Sequence, residues 1–515
     1  MSYTDINPTN PEHAPEHGTL SIVRLSPFIN GIEAECHGLT EEDKFCKVLV
    51  TEWETGDVVH DKILVAQPVL YGTKLVPGID YIIRIFSYDA DGNMRNSSPA
   101  RIFKCGYFPG KVVDYIHPKD NTFVHAHNGG HNCGSPYIMK LESTDHLLVS
   151  HDVFCNPGDG DNRISRFFES TDGGQNWTYL SYVDGCVWGT LFMHNDRLYM
   201  LASSQENSRA DLRLFVSDDC ARTWSDPIVI AAKGDDEFGY RTATTPYVSY
   251  QGRLWFPLDR GGKWGICTAS VALDADLTDP KNWTISACTA FDERWPGMRK
   301  PFKSAMEEVN MVISPDNKLC MLVRYNSQNF RISPNLLYRD QACILRFSIN
   351  SDDPTAAPIY SNKVPFNMCH HKFYIMPDPV TDGYLCLQNR MISMPGQRNV
   401  LSLSYSKDLD HWNFVRDLIN LHDMEWPEGY GAALQYPSGF LDGDTVYAVC
   451  RTAMNGAYNF HNNNAVTFHR FYNAHDRFVY GDEFSDGRAI DDAQGVARRK
   501  ENEPPQFTEW PVYFA

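Results

Sequence analysis

The chain has no apolar run approaching the roughly 20 residues that span a bilayer. Its first residues, Met1-Ser-Tyr-Thr-Asp-Ile-Asn-Pro8, hold neither a basic nor an apolar segment. No secretory leader and no membrane partner are therefore expected. Positive charge is also scarce: 46 Lys and Arg against 65 Asp and Glu leave a net charge of −19. Nucleic-acid phosphates need basic patches, so a nucleic-acid partner is excluded. An anionic ligand would need a local cationic pocket on an acidic protein. None of the 14 cysteines forms a CxxC pair. Several sit in strand-like runs such as Leu385-Cys-Leu387 and Ala448-Val-Cys450. They read as buried thiols of a reducing compartment, and a cytoplasmic location is expected.

What is present is a repeated turn. Ser170-Thr-Asp-Gly-Gly-Gln-Asn-Trp177, Ser217-Asp-Asp-Cys-Ala-Arg-Thr-Trp224 and the shorter Ser406-Lys-Asp-Leu-Asp-His-Trp412 each follow a strand-like run. A fourth run, Asp274 to Trp283, keeps the tryptophan without the serine. Ser and Asp side chains bond the turn backbone, Gly takes the left-handed position, and Trp packs beneath the hairpin. One supersecondary unit copied around an axis reads as a β-propeller. At roughly 50 residues per blade, 110–475 predicts seven blades, with six as the alternative.

The fold class expected is all-β, a propeller with a small N-terminal β-sandwich. Residues 1–17 read as a flexible lead and 18–107 as the sandwich. Residues 476–515 form an extension whose aromatic run, Phe507 to Phe514, either packs on the first domain or mediates an oligomer contact. In the sandwich, Leu75-Val-Pro-Gly-Ile-Asp-Tyr81 resembles the tyrosine corner of fibronectin type III domains, where the hydroxyl ties back to upstream backbone. Such domains are spacers or dimerisation units, and no chemistry is expected there.

Propeller ligands bind on the axis, so polar residues at the ends of inner strands are the candidates. His131, in a glycine- and histidine-rich loop beginning at His125, and His151-Asp152 offer proton carriers. Tyr240-Arg241 pairs a proton carrier with a cation. Glu308, Asn310 and Arg324 begin or end strands that turn apolar. Cys369-His-His371-Lys372 and Arg390 follow; the Cys–His cluster offers ligands for zinc, although one such cluster is a weak metal signal. The cofactor expectation is therefore none, with a divalent cation, Zn or Ca, as the alternative. Arg451, His461 and Asn464 provide donors and acceptors suited to sugar hydroxyls.

The turns resemble the Asp-box repeat of sialidase-like propellers. Further stretches, Trp188-Gly-Thr-Leu-Phe-Met-His194, His371-Lys-Phe373, Arg398-Asn-Val-Leu-Ser-Leu-Ser404 and His461 to Arg470, resemble a branch of that superfamily. Its members act as rhamnosidases or lyases on rhamnose–glucuronate linkages, and it is similar in architecture to ulvan lyases. Arg241 stands where a histidine is expected in relatives. True sialidases match less well: the sequence shows no Arg-Ile-Pro motif and no arginine triad with a Tyr–Glu pair.

The resemblance implies a carbohydrate-cleaving enzyme acting on an acidic oligosaccharide or polysaccharide, with β-elimination beside a uronate as the leading expectation. In that scheme Arg241 with Lys372 or Arg451 neutralises the carboxylate. His131, His151, His371, His461 and Tyr240 carry protons, while Trp188 and the remaining polar candidates contact substrate. A hydrolase with Asp152 and Glu308 as its carboxylates and a non-catalytic glycan-binding propeller are the alternatives.

Overall fold

The computed structural model describes residues 20–120, 131–155, 164–204, 210–234, 238–260, 265–296, 298, 306–325, 343–366, 371–390, 398–421 and 432–475. The first strands form two facing sheets. One holds Ser21–Phe28, Gly31–His37 and Val69–Thr73; the other holds Val58–Val65, Phe45–Glu52 and Asp80–Tyr88, with Met94–Ser97 and Arg101–Lys104 on its edge. Between them lie Leu25, Ile32, Val48, Leu70, Ile83 and Ile85, all fully buried. Tyr81 ties the corner: its hydroxyl accepts from the Val76 N–H at 2.9 Å and donates to the Val76 carbonyl at 3.2 Å.

Six further antiparallel sheets follow. Blade 1 puts His131–Cys133 and Tyr137–Lys140 on Leu147–Cys155, then adds Ile164–Ser170 and Thr178–Asp184. Blade 2 is Val187–His194, Arg197–Ser203, Leu212–Ser217 and Ile228–Ala231. Blade 3 centres on Arg253–Arg260 and Gly265–Ala272, with Tyr240–Arg241 and Val248–Tyr250 inside and Trp283–Ile285 outside. Blade 4 is Met306–Ile313, Leu319–Tyr325, Cys343–Ser348 and Ile359–Pro365. Blade 5 is Tyr374–Asp378, Gly383–Asn389, Val400–Ser406 and Asn413–Asn420. Blade 6 takes Ala433–Asp442, Thr445–Ala453 and Ala465–Phe471 from the end of the chain and its outer strand, Lys111–Tyr115, from the start. That pairing closes the ring. Blade 6 also packs back on blade 1, where the Ile138 N–H donates to Ser438 Oγ at 3.4 Å and the Cys133 N–H to the Asn463 carbonyl at 2.9 Å.

The blade count is thus six among the described residues, not the expected seven. A uniform blade size misjudges the length, since Tyr325 and Cys343, where consecutive strands of blade 4 end and begin, already lie 18 positions apart. Ile164–Ser170 is buried along its whole length, not alternately, because a blade packs against neighbours on both faces.

Buried charges join the sandwich to the ring. Arg166 of blade 1 donates to Asp114 of the closing strand and to the Val23 carbonyl of the sandwich. Glu35 of the sandwich accepts from the Tyr179 N–H at 2.9 Å and pairs with Arg24 at 2.9 Å. His151 belongs to this seam: Nε2 bonds Asp114 at 2.9 Å, Nδ1 bonds the Asp152 carbonyl at 3.0 Å, and the ring stacks on Phe168. His151 therefore does not face the axis, which corrects its expected role as a proton carrier.

Candidate functional site

The blades have two unlike ends. At one, the tight turns join third to fourth strands. Ser170 Oγ donates to Asp172 at 2.8 Å and accepts the Gly174 N–H at 2.8 Å, while Asp172 accepts the Asn176 N–H at 2.9 Å. Ser217 and Asp219 repeat those bonds to Ala221 and Thr223, and Ser406 and Asp408 repeat them to Leu409 and His411. Gly174, Ala221 and Leu409 share the left-handed position, with φ of 93°, 69° and 70°. The Trp177 indole donates to the Gly174 carbonyl at 3.2 Å and is buried. The Ser and Asp side chains that open each of these turns thus bond within the turn itself.

At the other end, inner strands begin and second strands finish. Here the inner strands bulge. Between Val187 and Thr190, Glu307 and Asn310, and Gln435 and Ser438 the register slips. The residue turned out in each bulge, Trp188, Glu308 or Tyr436, has φ near 55°. That left-handed backbone costs a non-glycine residue about 1–3 kcal/mol and re-aims its side chain, and it recurs where a site demands it.

The bulges bring blades 4 and 6 together across the axis: the Tyr436 hydroxyl donates to Glu308 Oε1. Arg324 donates to Glu308 Oε2 at 2.5 Å and lies 3.4 Å from Glu307. Arg451 stacks on the Tyr436 ring at 4.2 Å, and Arg398 lies over the same ring at 6.0 Å. Arg398 also donates to Gln435 Oε1 and, at 3.2 Å, to His371 Nε2. Neither of these two partners is a carboxylate. Burial and the cations Arg451 and Arg324 pull Arg398 down to about 10, still charged at neutral pH.

Burial and the Glu308 carboxylate push the Tyr436 phenol up to about 12. Burial opposes ionisation of Glu308, but Arg324 and the Tyr436 hydroxyl outweigh it and hold the carboxyl below its ordinary value. The resting pair is a neutral phenol donating to a carboxylate.

Beside the pair lies an acidic wall. Arg241 stands 3.3 Å from Asp259 and 3.6 Å from Glu307, with Trp188 stacked on its guanidinium at 5.8 Å. Burial above all raises Asp259 to about 7. His461 lies at the rim: its carbonyl accepts from Arg451 at 3.1 Å, and its ring meets Phe154 edge-on. Partial desolvation and the two nearest arginines push its imidazole down.

The structure thus gathers Trp188, Arg241, Glu308, Arg324, His371, Arg451 and His461 from the expected residues. Others bond nearby strands instead. Asn310 donates to the Phe373 carbonyl at 3.1 Å, Arg390 pairs with Asp417 at 2.5 Å, and Asn464 donates to the Met454 carbonyl at 2.6 Å. Asp152 accepts the Ser135 and Trp188 N–H groups at 3.0 and 3.3 Å. Tyr240 lies under Arg260, and Lys372 is fully buried, donating to the Pro437 carbonyl at 2.7 Å. The Asn310, Asp152 and Lys372 side chains are spent on strands of adjoining blades, and those of Arg390 and Asn464 on strands of their own blade. The His131 side chain, residues 121–130, Cys369 with His370, and the tail lie outside the described residues. Among the described residues no cluster of three or more His, Cys, Asp or Glu is placed to hold a metal ion, and the described cysteines carry no disulfide.

Tyr436, Arg398, Glu307 and Asp259 were not selected from the sequence as site residues. Tyr436-Pro437 carried a usable signal, since proline inside an inner strand marks a bulge. The arrangement also overturns one expectation directly: arginines do surround a Tyr–Glu pair.

No protein-family model matches the chain, and no curated protein is similar to it. Among solved structures, it is similar to Trypanosoma rangeli sialidase in complex with the inhibitor DANA, at 13% identity and a TM-score of 0.48, over 74% of this chain and 62% of that one. It is also similar to the NanB sialidase from Streptococcus pneumoniae, at 8% identity and 0.46, over 88% and 92%. A third is the GH93 α-L-arabinofuranosidase of Fusarium graminearum with arabinobiose, at 11% and 0.41, over 66% and 93%. The chain spans less than two thirds of the T. rangeli structures. At these identities no substrate or residue role passes from those proteins to this chain.

Proposed function

We propose that the chain is an exo-acting glycoside hydrolase that removes a terminal sugar bearing a carboxylate. The observation that supports it is the Tyr436–Glu308 hydrogen bond set among Arg324, Arg398 and Arg451. A carboxylate on the reacting sugar repels an anionic nucleophile. A phenol avoids that repulsion, being neutral until a carboxylate takes its proton during attack. In this scheme Tyr436 Oη bonds the anomeric carbon as the bond to the leaving oxygen breaks; the phenolic proton passes to Glu308, and the leaving oxygen takes its proton from solvent. Water then releases the sugar. Arg398 and Arg451 hold the substrate carboxylate by charge-assisted hydrogen bonds. Trp188 offers an apolar face to the sugar ring.

The elimination reading uses the same arginines to neutralise a uronate, with Tyr436 or His371 as proton carrier, and rhamnose–glucuronate glycans as substrates. A panel of aryl glycosides of acidic sugars, run beside glucuronate-containing glycans, separates the two. Hydrolysis releases phenol and a saturated acid sugar. Growth of conjugated unsaturated-uronate absorbance instead would replace the hydrolase with a lyase, and binding without turnover would leave a glycan-binding propeller. The Tyr81 corner supports reading the N-terminal sandwich as a fibronectin type III-like spacer, here seated on the ring by buried charges.

A further inference from the structure

A bulge that turns a side chain out of a strand also leaves its backbone polar groups without their ladder partners, and a buried group left so costs free energy. In this ring those groups are taken by ionisable side chains of the preceding blade. Asp259, at the end of the second strand of blade 3, accepts the Glu308 N–H with both oxygens, at 3.0 and 3.1 Å. Lys372 of blade 5 donates to the Pro437 carbonyl, next to Tyr436, at 2.7 Å. Asp152 of blade 1 accepts the Trp188 N–H at 3.3 Å. The device recurs from blade 1 to 2, 3 to 4 and 5 to 6. Each time the residue held, or its neighbour, has left-handed backbone and faces the well.

We propose that Asp259 and Lys372 are positioning residues that grip the bulged backbone and so set the Glu308–Tyr436 pair. Neither touches the reacting atoms. Glu308 keeps its φ of 56° because the Asp259 carboxylate fixes its N–H, with Arg241 holding that carboxylate from the other side at 3.3 Å. Tyr436 keeps its φ of 54° because Lys372 fixes the next carbonyl. Loosening either grip relaxes the strained residue toward an ordinary strand and draws the hydroxyl away from the carboxylate. The inference rests on the proposed hydrolase only in treating this pair as reactive.

The test has a kinetic and a spectroscopic arm. In Asp259→Ala and Lys372→Met, kcat on an acidic aryl glycoside should fall about a hundredfold, the cost of a misplaced reacting group. KM should hold, since the arginines that bind the carboxylate are untouched. Asp259→Asn, which keeps an acceptor for the Glu308 N–H, should recover most of the loss. Asp259→Ser, too short to reach, serves if the alanine variant does not fold. Independently of turnover, tyrosine labelled with ¹³C at Cζ reports the Tyr436 hydroxyl, its resonance identified by loss in Tyr436→Phe. That resonance should shift in Asp259→Ala or Asp259→Ser and in Lys372→Met, and stay in Asp259→Asn. Unchanged kcat with an unmoved resonance overturns the proposal. A shift without any turnover supports the positioning role and sinks the hydrolase alone.

Discussion

The two ends of the propeller are built on opposite principles. At the turn end, Ser170, Asp172 and Trp177 bond partners within four residues, and the left-handed position falls to Gly174 in the first turn, where a side chain would strike Phe468, and to Ala221 and Leu409 in the other two. At the well end, Glu308 and Tyr436 take left-handed backbone themselves, and the bond between them joins residues 128 apart in sequence. One end gives its polar groups to itself and yields stability. The other keeps charged and phenolic groups pointed at a shared space, at a local conformational cost that the rest of the ring carries.

The largest effect that would break this contrast is at the pair. Glu308→Gln and Tyr436→Phe should each lower kcat by about 10²–10⁴-fold, the range for losing a proton-transfer partner, with the melting temperature little changed. At the turn end, Trp177→Ala should do the reverse. Removing a buried indole costs about 3–5 kcal/mol of stability, read by denaturant unfolding, while kcat of the folded fraction stays put. Next in size is Arg398→Leu. A charge-assisted hydrogen bond to bound carboxylate contributes about 1.5–3 kcal/mol, so KM should rise about 10- to 100-fold while a neutral glycoside is unaffected.

The smallest effects are in pH. Glu308 is held below its ordinary value, so activity should persist above that lowered pKa and fall only as acid protonates the carboxylate. Asp259 runs the other way. Its pKa of about 7 exceeds the unfolded value of about 3.9. The folded state therefore keeps a proton that the unfolded chain has lost, and this group's contribution to stability declines as pH rises between those values. Asp259→Asn should flatten that slope in unfolding curves recorded across the window.

What could be read from the sequence follows the same division. The turns and the all-β class rest on short-range bonds and local spacing, and Ser170 to Trp177 displays its turn bonds in eight consecutive letters. Glu308, Arg324, Arg451 and His461 could be singled out because propeller ligands bind on the axis, where the ends of inner strands converge. The same rule drew in Asn310, Arg390 and Asn464, whose side chains bond strand ends beside them. Nothing local separates a polar group that serves a neighbouring blade from one that serves the well. Tyr436 escaped because an aromatic residue in a strand reads as core. Only the bulge at Pro437, and a carboxylate arriving from blade 4, give it another part.

The most direct measurement is product analysis in ¹⁸O-labelled water, with an acidic-sugar glycoside as substrate and Tyr436→Phe as the comparison. The account predicts one solvent oxygen in the acid sugar released by the native protein and almost no release by the variant. Unlabelled, unsaturated product, or equal release by both proteins, would contradict it.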